Sequence, residues 1–425
     1  MKWTWHLSIM ALFLLGWRLP AAAQEEMAPL TLQECLAIAL QEQSDVQQGE
    51  QSLKAAAART TQAKSGYYPQ VTLQGNSRVL HNATSRNSSD HTASLGISYE
   101  LYDGGLRKER VKSAEYGVEQ NAATLARTKQ TVIFTVSRSY LALLRAQRLL
   151  DVSESQLAYI DGQRALIDAR VAVGDAAAVD LLPVEAQWAN AQVDLLAAQN
   201  AVRTSAIVLQ QAMGLTPGTR FAVQEIMLPD DVAVPTLEEC LAQAGVQRPD
   251  VVSTQAGVGA AQASVRTAKI GLAPRPVVVG GMDQGLVGGD ERTYALSVGV
   301  NYDLFNGGNR RAIYDEARAQ LSSAQIRAAQ IEKDIIAEVQ DAYLTLQDAR
   351  ARVQASAVSV EAARRNLAAQ EERYKNDLAI PLDLLNAQLQ LTTADNNAVQ
   401  SRYDYYTALA RLNYALGKEG AFDAQ

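Results

Sequence analysis

The chain has 425 residues, 39 Lys and Arg against 46 Asp and Glu (formal net charge −7), and is 48% hydrophobic but only 6% aromatic. An acidic chain of this kind excludes nucleic acid as a partner. Its three histidines stand at 6, 81 and 91, so the body of the chain offers neither histidine-based catalysis nor the usual zinc sites, and nothing calls for a cofactor.

Residues 1–23 read as an export signal: Lys2, a short apolar run from Leu7 to Gly16, and the small-residue site Ala21-Ala22-Ala23. That run is too short to span a bilayer as a helix, and no later run reaches about 20 apolar residues. No cysteine follows the cleavage site, so no lipid anchor is indicated there. The mature chain then starts near Gln24.

From there the sequence repeats itself. Thr31-Leu32-Gln33-Glu34-Cys35-Leu36-Ala37 returns as Thr236-Leu237-Glu238-Glu239-Cys240-Leu241-Ala242. Leu101-Tyr102-Asp103-Gly104-Gly105 returns as Leu304-Phe305-Asn306-Gly307-Gly308, and Asp180-Leu181-Leu182 as Asp383-Leu384-Leu385. The reading is a first unit at 24–215, a linker at 216–235, a second unit at 236–417 and a tail at 418–425, with the two units related by a pseudo-symmetry axis. Equivalent positions in two repeats lie apart, so Cys35 and Cys240 are expected as two separate buried thiols rather than a disulfide.

Each unit opens with a short helix carrying a capping box, Thr31 with Glu34 and Thr236 with Glu239. A second helix follows at about 45–64 and about 250–269, the latter with Pro249 at its start. Strands are expected at about 67–80 and 92–102 in the first unit, and at about 274–284 and 293–305 in the second. Leu95, Ile97, Tyr99 and Leu101 alternate with small or polar residues, as do Val298, Val300, Tyr302 and Leu304. In the earlier strand of the second unit, the run 276–281 sets no parity. Residues 81–91 and 285–292 read as loops joining the paired strands. Alternation alone fits a small soluble sheet as well as a membrane β-barrel, in which aromatic residues sit near the interfaces.

Two proline-free stretches then form long helices at about 105–172 and about 308–375. Each is roughly 100 Å long at 1.5 Å per residue, far beyond an ordinary domain core. Leu346, Val353, Val360, Leu367 and Tyr374 step by sevens, so the far half is expected to coil around its partner. A tip follows, with Val173 and Gly174 in the first unit and Asn376 and Asp377 in the second. Returning helices run at about 180–213 and 381–416. Stacked on the earlier helix of about twenty residues, each could pack beside the long helix.

This ordered set, present twice, resembles the TolC family of outer-membrane efflux proteins over the whole mature chain. The resemblance implies a mainly α fold with a β membrane part: a homotrimeric 12-stranded β-barrel in outer-membrane lipid, continued by a long periplasmic α-helical barrel. It implies a passive outer-membrane exit duct spanning the periplasm and working with a periplasmic adaptor protein and an inner-membrane transporter, in efflux or type I secretion, without enzymatic chemistry. It further implies a gate at the periplasmic tip made of Asp383, Asn386, Tyr374 and Asp180, with Tyr374 holding the closed state through Asp180. Asn386 replaces an acid and Ala379 an arginine of the family pattern. Val173, Gly174, Asn376 and Asp377 would contact the adaptor. Asp180 and Asp383 can also be read as ordinary helix-start acids, favourable with the helix dipole, and Glu371 and Glu372 read as solvated helix face. The alternative function is a periplasmic coiled-coil adaptor, which would need one hairpin flanked by compact β domains.

Overall fold

The structure, a computed structural model, describes residues 29–82, 85–174, 176–216, 218, 221–226, 234–287, 292–376, 378–418, 420 and 422. The expected export signal, Asp377 and part of the linker lie outside them.

Both capping boxes form. In α1 (Leu32–Glu42) the Thr31 N–H donates to Glu34 Oε2 at 2.8 Å, and the Glu34 N–H to Thr31 Oγ1 at 3.2 Å. In α5 (Leu237–Gln247) the Thr236 N–H donates to Glu239 at 2.9 Å. α2 (Ser44–Ser65) and α6 (Pro249–Ile270) follow, Pro249 sitting in the first turn where its missing N–H is harmless.

The strands are β1 (Gln70–Asn82), β2 (Ser85–Tyr102), β3 (Arg275–Val287) and β4 (Arg292–Asn301), in one antiparallel sheet of order β1-β2-β3-β4. Two loop expectations are corrected. Residues 85–91 belong to β2 and pair with β1, because backbone ladders form regardless of side-chain polarity. Residues 285–287 belong to β3, and 288–291 lie outside the described residues. β4 also ends at Asn301 rather than near 305.

Register settles the faces. Val71 pairs with Ile97, Ile97 with Met282 and Met282 with Tyr294, an apolar row across all four strands. The adjacent row, Thr72, Gly96, Asp283 and Thr293, is small or polar. The apolar face is uncovered in the chain: Leu73, Tyr294, Leu296 and Val298 are each more than 70% exposed.

The sheet passes to helix through paired glycines with left-handed backbone, Gly104 and Gly105 (φ 75° and 89°) and Gly307 and Gly308 (φ 65° and 84°). Asp103 caps the first turn, accepting from the N–H of Gly105 at 3.0 Å and of Arg107 at 2.6 Å. α3 (Leu106–Ala172) and α7 (Asn309–Lys375) are 67 residues each. Near the sheet, α3 packs against α2 and α6, and farther along against α4 (Leu181–Ala212) and α8 (Pro381–Leu416). α7 packs against α6 and α8. The main core lies at mid-length, where α1 and α5 lean on the long helices, and contains both cysteines, buried and unpaired. There the Tyr140 hydroxyl donates to the Gln224 carbonyl at 2.5 Å, and an isolated bridge joins Leu30 to Val223. No helix among the described residues is long and apolar enough to cross a membrane.

Candidate gate at the helical tip

The end of the molecule away from the sheet is built by two helical coils, α3 with α4 and α7 with α8. Of the heptad positions, Leu346, Leu367 and Tyr374 are buried, and Val353 and Val360 half-buried, on the face the seven-residue step sets. Each coil turns at a short tip. Gly174 takes φ 81° after α3, and a single 3-10 turn, Ala178–Asp180, leads into α4. After α7, Asn376 Nδ2 donates back to the Glu372 carbonyl at 2.6 Å and the Leu378 N–H to the Arg373 carbonyl at 2.8 Å. Val173, Gly174 and Asn376 are exposed.

Asp180 and Asp383 occupy matching places. Asp180 Oδ2 accepts from the Ala177 N–H at 3.2 Å, and Asp383 Oδ2 from the Ile380 N–H at 3.2 Å. Both therefore satisfy an orphan donor at a helix start and suit its positive end. Asp383 remains exposed, and Asn386, one turn on, is exposed as well.

Tyr374 is buried. Its ring lies beneath the Arg170 guanidinium, 4.9 Å from its centroid. Among the described residues no hydrogen bond joins it to Asp180, whose carboxylate is turned to its own backbone. A second link between the coils is the Tyr159 hydroxyl, which donates to Glu371 Oε1 at 3.3 Å. Burial pushes the Tyr159 phenol up, and the Glu371 charge adds to the effect. Glu371 is thus half-buried and engaged, whereas Glu372 is exposed and pairs with Lys375 at 2.7 Å. Below these links Leu385 of α8 joins Ile160, Ile167, Val184 and Ala191 in a small apolar cluster. Trp188 is fixed beside it, its Nε1–H donating to Asp161 at 2.5 Å under the Arg164 guanidinium.

Arg170 and Tyr159 escaped the sequence reading, and Glu371, read as solvated helix face, is instead half-buried against Tyr159. For Tyr159 a signal exists. Tyr159, Tyr374 and Trp188 are aromatic residues that break the repeat here, their counterparts 203 positions away being Ala362, Val171 and Leu391.

The family profile described as "Outer membrane efflux protein" matches residues 35–215 and 240–418, one match per unit. The outer membrane efflux protein BepC of Brucella suis biovar 1 is 26% identical over 84% of this chain and 78% of its own length. The outer membrane protein TolC of Vibrio cholerae serotype O1 is 22% identical over 85% of each chain. A solved structure of CusC superposes with a TM-score of 0.79 at 17% identity, covering 91% of this chain and 92% of that one.

Proposed function

We infer, from the premise that this chain belongs to the outer membrane efflux protein family, that it is a passive exit duct of the outer membrane which also crosses the periplasm. The family match over both units sets aside the adaptor reading, which needs one hairpin between compact β domains. The observation that carries the duct is the sheet. Its apolar face stands open at Val71, Leu73, Tyr294, Leu296 and Val298, and the described residues of one chain supply four strands. Lipid tolerates such a sheet only when it is closed without edges. Three copies closing β4 of one onto β1 of the next make a 12-stranded barrel, apolar outside and small or polar within. The paired coils of three copies then continue the bore as a helical barrel.

In this reading the periplasmic tip is the gate. Three copies of Asp383 would gather near the axis with Asn386 one turn on. Tyr374 would hold the closed state through Arg170, with Tyr159 and Glu371 beside them, while Asp180 serves mainly as a helix cap. An inner-membrane transporter and a periplasmic adaptor would deliver the cargo, the adaptor meeting the exposed turns at Val173, Gly174 and Asn376, and Asp377 beside it. The chain itself carries out no reaction.

Fractionation tests this directly. The protein should sediment with outer membranes and migrate as a trimer in mild detergent. A soluble periplasmic monomer would overturn the reading.

A further inference from the structure

The two units of this chain are joined at mid-length by a compact charge cluster. Arg248, at the entrance to α6, is only 3% exposed and contacts Asp250 and Glu338, each at 2.5 Å. Arg127 of α3 adds Glu338 at 3.6 Å and Asp250 at 3.9 Å. The same arginines reach the end of α8: Arg127 lies 3.8 Å over the Tyr414 ring and donates to the Tyr414 carbonyl at 3.0 Å, and Arg248 donates to the Ala415 carbonyl at 3.2 Å. Two cations and two anions thus tie α3, α6, α7 and α8 together with no net charge. Arg248 is buried and the other three are partly buried, so removing one partner and leaving Arg248 uncompensated is destabilising.

The duplication supplies an internal control. The counterparts of Arg248 and Asp250 are Gln43 and Asp45, and those of Arg127 and Glu338 are Gln330 and Thr135. The local architecture is kept, since Gln43 Nε2 donates to the Ala212 carbonyl at 3.4 Å just as Arg248 does to Ala415. Of the four charges only the Asp250 carboxylate is kept, as Asp45. Gln330 bonds Asp334 along its own helix at 2.8 Å, and Asp45 is exposed.

Within the chain α6 lies between α3 and α7, whereas α2 packs on α3 and leaves its other side open. Closing three copies into a ring repeats the arrangement, with α2 of one copy entering beside α7 of the next. The stapled junction is then the one inside each chain, and the junction without the arginines and the Glu338 counterpart the one between copies. We propose that the chain locks its internal unit-to-unit junction with the Arg127–Arg248–Asp250–Glu338 staple and leaves the matching copy-to-copy junction compliant, so that movement of the duct at this level occurs at the seams between copies. This rests on the trimeric reading above.

Paired nitroxide labels test it in the detergent-purified trimer. Lys129 on α3 and its counterpart Glu332 on α7 are each replaced by labelled cysteine. Doubly labelled chains diluted with unlabelled copies report the internal junction, and mixtures of singly labelled copies report the seam. The internal distance distribution is expected to be about twofold narrower than that of the seam. The variant Q43R/T135E/Q330R, which completes a second staple around Asp45, should narrow the seam and raise the temperature at which the trimer dissociates in SDS. Equal widths in the parent protein, or a folded triple variant with an unchanged seam, overturn the proposal. A protein that gives no between-copy distance and sizes as a monomer overturns the trimeric reading itself.

Discussion

The Arg170 guanidinium stacks on the ring of Tyr374, 4.9 Å from its centroid, and so bridges the first helical coil to the second near the tip. The contact uses the ring face rather than the hydroxyl, which separates two versions of the lock. A cation over an aromatic face contributes about 0.5–1 kcal/mol at such sites. Arg170→Ala should therefore shift the closed-to-open ratio by roughly twofold to fivefold toward open. Tyr374→Phe should leave it unchanged and Tyr374→Ala should open it. Single-channel recording in planar bilayers distinguishes these outcomes. Opening by Tyr374→Phe would return the lock to the hydroxyl and its Asp180 partner.

Asp383 offers a second test at the same mouth. Three carboxylates close together repel, and a bound cation relieves the repulsion. The closed duct should be cation-selective and blocked by multivalent cations. Asp383→Asn keeps a side-chain acceptor for the Ile380 N–H, so the trimer should persist while selectivity falls and block is lost. Asp180→Asn serves as the matched control and should leave both unchanged. Adding a second acidic ring with Asn386→Asp should strengthen block.

The thiols should be inert in the folded protein. Cys35 is fully buried, and burial together with the nearby Glu34 charge pushes its thiol up to about 11. Cys240 is buried too and shifted in the same direction, chiefly by burial. Since the thiolate is the reactive form, alkylation at pH 8 should be negligible until the protein is denatured. Two free thiols should then be titrated per chain. Rapid labelling of the native trimer would contradict the packing around α1 and α5.

Acid should act through the mid-length staple. Burial alone would raise the Asp250 carboxyl, but its bonds to Arg248, with the charges of Arg248 and Arg127, outweigh burial and hold it below its ordinary value. A depressed folded pKa contributes stability above the unfolded value of about 3.9, lost as pH falls further. Asp250→Asn should cost about 1.5–3 kcal/mol at neutral pH. The difference from the parent should begin to shrink below about pH 4, where the unfolded carboxyl takes up a proton, and should close as pH falls through the lower folded value. Thermal unfolding in detergent at pH 7 and pH 3 measures this. A gap that stays constant with pH would mean that Asp250 contributes by packing alone.

What the sequence alone determined was the local and the repeated. The α1 and α5 caps depend on residues three apart, Thr31 with Glu34 and Thr236 with Glu239. The long helices α3 and α7 depend on proline-free runs whose hydrogen bonds close within four residues. The duplication carried the architecture from one unit to the other. What the tertiary structure decided was everything set by pairing across distance. The run 276–281 has no parity of its own, and Met282 joins the apolar face only because β3 is held between Ile97 of β2 and Tyr294 of β4. The polar stretch 85–91 reads as loop by composition and becomes strand because β1 offers it a ladder. At the tip the helix-start aspartates were legible, while the partner of Tyr374 was not. Arg170 lies about two hundred residues away on another helix, and only the coiling of α7 toward α3 brings the guanidinium over the ring.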